Sequence, residues 1–455
     1  MPQHLLTETA QAIPLSLVQQ GEAAAGLDEA ARRWADAIGF KGAPGQIALL
    51  PDRQGDLARV LVGWDAAEPV WALAALPGSL PERTFRLDPV PSEAGKLSLG
   101  WALGCYAFER YKKREKGFAK LVWPASADRG LVTRLADGIG LARDLINTPA
   151  EDMGPGDLAE AAQNLAGGHG ASCRIVVGEA LLAENYPAIH AVGRASSAAR
   201  APRLIDLVWG DPAVPKVTLV GKGVCFDTGG LDLKTSGGMR LMKKDMGGAA
   251  TVLGLASAIM AAGLPVRLRV LIPAVENSVS ADSIRPLDII RTRKGLSVEI
   301  GNTDAEGRLI LGDALAEADS EKPALLVDLA TLTGAARVAL GPDLPALFCH
   351  DDALADALLR AGSAESDPLW RLPLWAGYKP MLSSPIADLN NVAESPFAGA
   401  ILAALYLDAF VSPETRWMHI DTYAWNQKSR AGRPEGGEAL CLRALYALIA
   451  ERFGH

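Results

Sequence analysis

Three stretches of the chain set carboxylates and lysines among glycines. They are VGKGVCFDTGG (220–230) with Lys222 and Asp227, LKTSGGMRLMKKDMGGAA (233–250) with Lys234 and Asp245, and NTDAEGRL (302–309) with Asp304, Glu306 and Arg308. In extended chain, residues i and i+2 point the same way, so Asp304 and Glu306 can face one point in space. The flanking Gly301 and Gly307 are expected to let the backbone bend closely around whatever sits there. Held near Asp227 and Asp245, these side chains would put four carboxylates in one cleft. Like charges at short range raise each other's pKa, so such a cluster is unstable alone. Divalent cations resolve the conflict. Oxygen-rich ligand sets accept Zn²⁺, Mn²⁺ or Mg²⁺, and bridging carboxylates can hold two ions.

Taken singly, each acid has a plainer reading. Asp245 precedes Gly247 and a long Ala-rich stretch, where an aspartate serves as a helix N-cap. Asp304 and Glu306 could lie in a solvated turn. The joint pattern of strand end, glycine-rich bend and carboxylate, three times over, favours a site. Lys222 stands inside an apolar run between two glycines, so it must pair with a carboxylate or lose its proton. A neutral amine is a competent metal ligand, and a structural ion pair is the alternative. Lys234 and Arg308 could keep their charge and face negative charge developing on a substrate oxygen.

Several commoner chemistries fail on the residues. The GKG at 221–223 is no phosphate-binding loop, because position 216 is Lys and no Ser or Thr follows the lysine. The DTGG at 227–230 has no second copy, which a single-chain aspartic protease would need. No H-E-x-x-H or H-x-H occurs, and none of the six histidines falls in the three stretches. His419, in WMHIDTYAW, reads as a packed, hydrogen-bonded histidine. A serine triad lacks its G-x-S-x-G signature.

The elements that must position these residues can be read around them. With 455 residues, 49% apolar and 22% charged, the chain fits a soluble protein of two or three domains. A net charge of −8 argues against nucleic acid or an acidic membrane as partner. Five scattered cysteines and a start without a basic, then apolar, leader point to a reducing, cytoplasmic setting. Residues 246–266 carry no charge and are long enough to span a bilayer, yet they are mostly Ala and Gly, so a buried core helix is expected.

Near the N-terminus, 47–52 and 58–65 read as strands and 97–113 as a helix. Residues 120–130 form a plausible boundary, followed by a helix over 131–147. Beyond it, strands at 203–210, 217–227, 267–276, 296–301 and 324–332 alternate with helical stretches. The fold class is therefore α/β: a smaller N-terminal α/β domain and a larger domain whose mostly parallel sheet is covered by helices on both faces. The expected limits are 1–125, a linker helix region at 126–145, and 146–455. Sites in such sheets gather at the carboxyl ends of the strands.

The three motifs in this order resemble the leucine aminopeptidase (cytosol aminopeptidase) family. DLATLTGA (328–335), SPIADLNN (384–391), FAGAILAALYL (397–407) and AGRPEG (431–436) fit as well, so the resemblance covers about residues 140–440. It implies a metal-dependent aminopeptidase, with one ion taking Lys222, Asp227, Asp245 and Glu306. The other would take Asp227, Asp304 and Glu306, with the Asp304 backbone carbonyl. Zn²⁺ or Mn²⁺ is the usual occupant.

The resemblance assigns Lys234 and Arg308 to the catalytic positions, the latter holding a bicarbonate ion as general base. Met242, Asn302, Thr331 and Leu332 match positions lining the substrate site. It also implies peptide substrates with a free N-terminus and a homo-hexamer. The first 130 residues and the region after Trp417 depart from the best-known members, the latter bearing on which first side chain is preferred.

Overall fold

The computed structural model describes residues 4–6, 11–22 and 27–454. The chain divides into two compact units, Met1–Gly140 with Lys428–Glu435, and Leu141–Gln427 with Gly436–His455. The helix Arg129–Asn147 carries the chain from the first into the second.

The first unit holds a six-stranded sheet of Leu5–Leu6 (β1), Ile13–Val18 (β2), Ile47–Pro51 (β3), Leu57–Gly63 (β4), Thr84–Leu87 (β5) and Lys120–Val122 (β6), ordered β1-β6-β5-β2-β4-β3. The two runs expected as strands at 47–52 and 58–65 pair antiparallel as β3 and β4. The helix expected over 97–113 spans only Ala94–Gly104. Beyond it the chain is a run of Lys and Arg, exposed from 110 to 117, with no apolar face left to bury.

The second unit is built on a mixed nine-stranded sheet. Its strands are Ser172–Val177 (β7), Arg203–Trp209 (β8), Lys216–Gly221 (β9), Gly223–Asp227 (β10), Arg267–Asn277 (β11), Leu325–Ala330 (β14), Ala346–Cys349 (β15), Trp370–Arg371 (β16) and Trp417–Asp421 (β18). A small separate sheet is formed by Ile289–Arg291 (β12), Ser297–Glu299 (β13) and Leu389–Asn390 (β17). The large sheet runs β16-β15-β18-β14-β9-β11-β8-β7, with β10 continuing alongside β11. Its centre, β18-β14-β9-β11, is parallel, and the pairings β15–β18, β11–β8 and β8–β7 are antiparallel. Central strands such as VTLVG and LLVDLA are buried along their whole length, as a parallel sheet covered on both faces requires.

Two groups of helices do the covering. Gly247–Ala262 packs on β9 and β14 with Leu442–Phe453 beside it, while Glu306–Ser320 packs on β9 and β11 with Pro187–Gly193 and Gly399–Asp408. The uncharged segment at 246–266 is thus a core helix inside this unit. The stretch expected as one strand over 217–227 is two, broken at Lys222. Residues 296–301 form strand only from Ser297 to Glu299.

Candidate active site

Two of the motifs emerge at the carboxyl ends of the central strands β9 and β10, and the third follows β13 of the small separate sheet. Lys222 sits at the break between β9 and β10, its backbone N–H donating to Leu329 O and its carbonyl accepting from Ala249 N. The side chain, 3% exposed, points along the sheet edge. Its Nζ lies 2.7 Å from Asp245 Oδ2 and 2.9 Å from Glu306 Oε1, and donates to Thr331 O at 3.1 Å. Burial alone would lower the lysine pKa. Asp245, Glu306 and Asp227 together more than reverse that, and hold the ammonium charged.

Gly307 makes this approach possible. A Cβ there would stand 2.5 Å from Lys222 Cε and 2.7 Å from Nζ. The two glycines flanking the third motif therefore matter for closeness rather than for bending. A Cβ on Gly301 would meet Asn390 Oδ1 at 2.5 Å.

Asp227 ends β10. Its Oδ1 accepts from Gly229 N and from Asn277 Nδ2, both at 2.9 Å, and its Oδ2 lies 2.8 Å from Lys234 Nζ. Lys234 also donates to Asp304 Oδ1. Asp245 lies in the short 3₁₀ turn Met242–Met246, and Thr331 Oγ1 donates to its Oδ1 at 2.7 Å. It caps no helix. Met246 occupies the N-cap position of the long helix, so the plainer reading of Asp245 is not realised.

Asp304 and Glu306 share the site, but not by strand alternation: Asp304 sits in a turn and Glu306 is the first residue of the helix Glu306–Ser320. Glu306 is 1% exposed; its Oε1 faces the Lys222 ammonium at 2.9 Å, and its Oε2 accepts no hydrogen bond among the described residues. Burial, then the charge of Asp227, pushes its pKa to about 8, against the pull of Lys222. Burial and Asp227 likewise raise Asp304 to about 6.

Carboxylate oxygens of Asp227, Asp245 and Glu306 come within 4.8 Å of one another. Acceptor-only groups so close, with one ammonium shared between Asp245 and Glu306 and Glu306 Oε2 without a donor, fit a divalent cation and its charge. The donor set is the right one for such an ion.

The cluster opens on a cavity of about 700 Å³ lined by Lys234, Met242, Asn302, Asp304, Arg308, Thr331 and Leu332, among others. Every residue expected in the site is therefore in the cluster or on the cavity wall. Arg308 is mostly buried, which lowers its pKa, and its Nη1 donates to Asn391 O at 2.7 Å.

Four contributors escaped the sequence reading. Asn277 holds Asp227 from the end of β11, and Asp421, at the end of β18, accepts from the backbone N–H of Leu332 and Thr333 at 3.0 and 3.2 Å. Lys244 and Arg337 share the face of Tyr423 on the cavity wall, at 4.6 and 5.1 Å. Burial lowers Lys244 to about 8. Asn277 and Asp421 end strands, Lys244 precedes Asp245 and Arg337 lies in the helix Gly334–Leu340, but none has a spacing of its own to betray it. His419, by contrast, is fully buried and pairs with Asp328 at 2.6 Å in the middle of the sheet, as the packed reading expects.

Comparison with known proteins agrees with this geometry. Residues 140–446 match the cytosol aminopeptidase family, catalytic domain, and residues 13–124 match the M17 aminopeptidase N-terminal domain. A probable cytosol aminopeptidase of Syntrophotalea carbinolica is 42% identical over 381 residues, covering 80% of this chain and 76% of the relative. The crystal structure of a cytosol aminopeptidase from Coxiella burnetii superposes with a TM-score of 0.95 at 49% identity, over 99% of this chain and 100% of the other. The bottromycin maturation enzyme BotP in complex with Mn gives 0.88 at 34% identity, over 98% and 100%. The chain belongs to the cytosol aminopeptidase family and is a metal-dependent aminopeptidase.

Proposed function

We propose that this chain releases the N-terminal residue, leucine or a similar one, from peptides with a free amino terminus, and that two divalent ions per subunit serve it. Lys222, Asp227, Asp245 and Glu306 would hold one ion; Asp227, Asp304 (with its carbonyl) and Glu306 would hold the other. Zn²⁺ or Mn²⁺ are the expected ions, with Mg²⁺ a third candidate. BotP, a structural relative, is known with Mn. When bound, such a pair supplies Lewis acidity and a water acidic enough to attack a carbonyl near neutral pH.

The chain's own residues do the rest. Asp227 and Glu306 would serve both ions. Cations among the carboxylates would offset the negative charge that holds Lys222 protonated, freeing its Nζ as a ligand. Lys234, reaching between Asp227 and Asp304 from the cavity wall, is placed to donate to the carbonyl oxygen as it gains charge. Arg308 is assigned to hold bicarbonate as general base. Met242, Asn302, Thr331 and Leu332 would line the substrate site.

The observation that carries this reading is the buried triad of Asp227, Asp245 and Glu306 fronting a cavity that contains Lys234 and Arg308. Hydrolysis of Leu-p-nitroanilide by chelator-stripped protein, before and after Mn²⁺ or Zn²⁺, tests it beside Asp304→Ala. Activity should return with metal in the wild type alone, and N-acetylation of the substrate should abolish it. Metal-independent turnover, or turnover of the acetylated substrate, would sink the reading.

We place the protein in the cytoplasm, in keeping with its relatives' names, and assign the catalytic work to 146–455. Residues 126–145 are then the linker, and 1–125 a domain for assembly or access. A homo-hexamer would cover apolar side chains of the catalytic unit such as Trp370, Trp375 and Phe397, which are 60%, 61% and 75% exposed. Light scattering on the eluting protein should return six times the 47.8 kDa chain mass. Neither a membrane nor nucleic acid is a partner in this reading.

A further inference from the structure

The loop 301–305 carries Asp304, and Arg308 lies in the first turn of the next helix; within the loop Asn302 Oδ1 accepts from Asp304 N at 2.7 Å, a bond that leaves Arg308 untied. The segment SPIADLNN supplies what is missing. Its β17 runs parallel to β13, in the register Val298 to Leu389 and Glu299 to Asn390, and the ladder continues with Asn391 N donating to Glu299 O at 3.0 Å. There β13 stops and the metal loop begins. The Asn391 side chain, fully buried, takes over.

Its Oδ1 accepts from Gly301 N at 2.8 Å and from Asn302 N at 3.2 Å. Its Nδ2 donates to Asn302 O at 2.7 Å and reaches Ala305 O at 3.5 Å. The same residue's carbonyl accepts from Arg308 Nη1. One residue thus binds the start of the loop, its far end and the arginine.

We propose that Asn391 is a positioning residue: its amide locks the Asp304 turn, and its carbonyl locks Arg308, so that the Asp304-side ion and the guanidinium keep a fixed spacing. Both functions of the amide are needed. Its oxygen satisfies two backbone donors that no strand partner reaches, and its nitrogen satisfies carbonyls on the other side of the turn. Asp227 and Asp245 are held by other elements, so loss of the amide should be felt first at Asp304. This inference rests on the two-ion reading above.

The test is calorimetric titration of chelator-stripped full-length protein with Mn²⁺, for wild type, Asn391→Asp and Asn391→Ala. Aspartate is nearly isosteric and keeps the acceptor, but sets an oxygen against Asn302 O. Alanine removes the acceptor and the donor bonds together without adding charge, and carries the measurement if the aspartate variant does not fold. The expected result is a weakening of about tenfold or more at one class of site, within the range seen when groups supporting metal ligands are removed. The other class should stay within about threefold, and kcat should fall.

Two variant classes that both keep wild-type affinity would overturn the proposal. So would equal weakening of both classes with a lower melting temperature, which marks a merely structural residue. A wild type that binds fewer than two ions would overturn the two-ion reading, and this inference with it. Two ions in the wild type, retained in both variants with unchanged affinity, would overturn the inference alone.

Discussion

At the scale of single residues, the two lysines of the site do opposite things with the same charge. Lys222 is sealed in, paired with Asp245 and Glu306, and stands where the backbone leaves one strand and enters the next. Lys234 lies on the cavity wall and bridges Asp227 and Asp304. If Lys234 acts on the substrate oxygen, Lys234→Met should cut kcat by about 10²–10³-fold, the cost of one preorganised donor. Its loss removes a positive charge from beside two carboxylates, so Mn²⁺ affinity should hold or rise. Steady-state kinetics on metal-loaded protein, paired with calorimetry, separate these effects. A metal affinity that falls in step with kcat would make Lys234 a structural support instead.

At the scale of elements, what the sequence made legible was the order of strands and the placing of motifs at their ends, because buried apolar runs and glycine-flanked acids both leave local marks. What it hid depended on contacts distant in sequence. Lys222 breaks a run that reads as one strand because its side chain must reach the helix starting at Glu306, eighty residues on. Asp304 and Glu306 look like alternate residues of a strand, while the chain has already turned into that helix. The strands β15 and β18, with Asp421 at the end of the latter, carry no alternation that marks them as part of the sheet.

Gly307 joins these levels. In Gly307→Ala the new Cβ meets the flexible end of Lys222, not backbone, so the fold should survive with a small loss of stability. Lys222 must move off Glu306, however, and Mn²⁺ affinity should drop by about tenfold or more. An unchanged affinity would mean that the close approach is incidental.

The helix Glu306–Ser320 offers a second test, away from the metals. Asp313 is buried on it and accepts from the backbone N–H of Ala188, Ile189 and Arg293. Burial lifts it to about 7 in spite of those donors. A carboxyl whose folded pKa lies above its unfolded value binds more protons in the folded state. Stability should therefore fall as pH rises from about 4 to about 7, and level off above. Urea unfolding at pH 5 and 7.5 should show this fall, and Asp313→Asn should flatten it. A variant as pH-sensitive as the wild type would place the slope elsewhere.

At the scale of the whole molecule, the site is a source of instability that its ions would relieve. The second unit buries Asp227, Asp245 and Glu306 together, with Lys222 reaching the last two and Lys234 the first. Uncompensated charge of this kind costs several kcal/mol in a buried setting. Ions that bind the folded chain and not the unfolded one add about 2.7 kcal/mol at a hundred times Kd and about 4.1 at a thousand times. In a unit of this size that corresponds to a rise of several degrees in melting temperature. Scanning calorimetry of stripped protein with increasing Mn²⁺ should show melting rise with the logarithm of free metal, and Asp304→Ala should respond with a smaller slope because one ion has lost a ligand. The proposed metal ligands all lie in the second unit, so a distinct transition from the first unit, where one is resolved, should stay where it is. Melting that is blind to Mn²⁺ in a protein that still binds it would mean the unfolded chain binds as well, and that the carboxylates are not the burden their burial makes them.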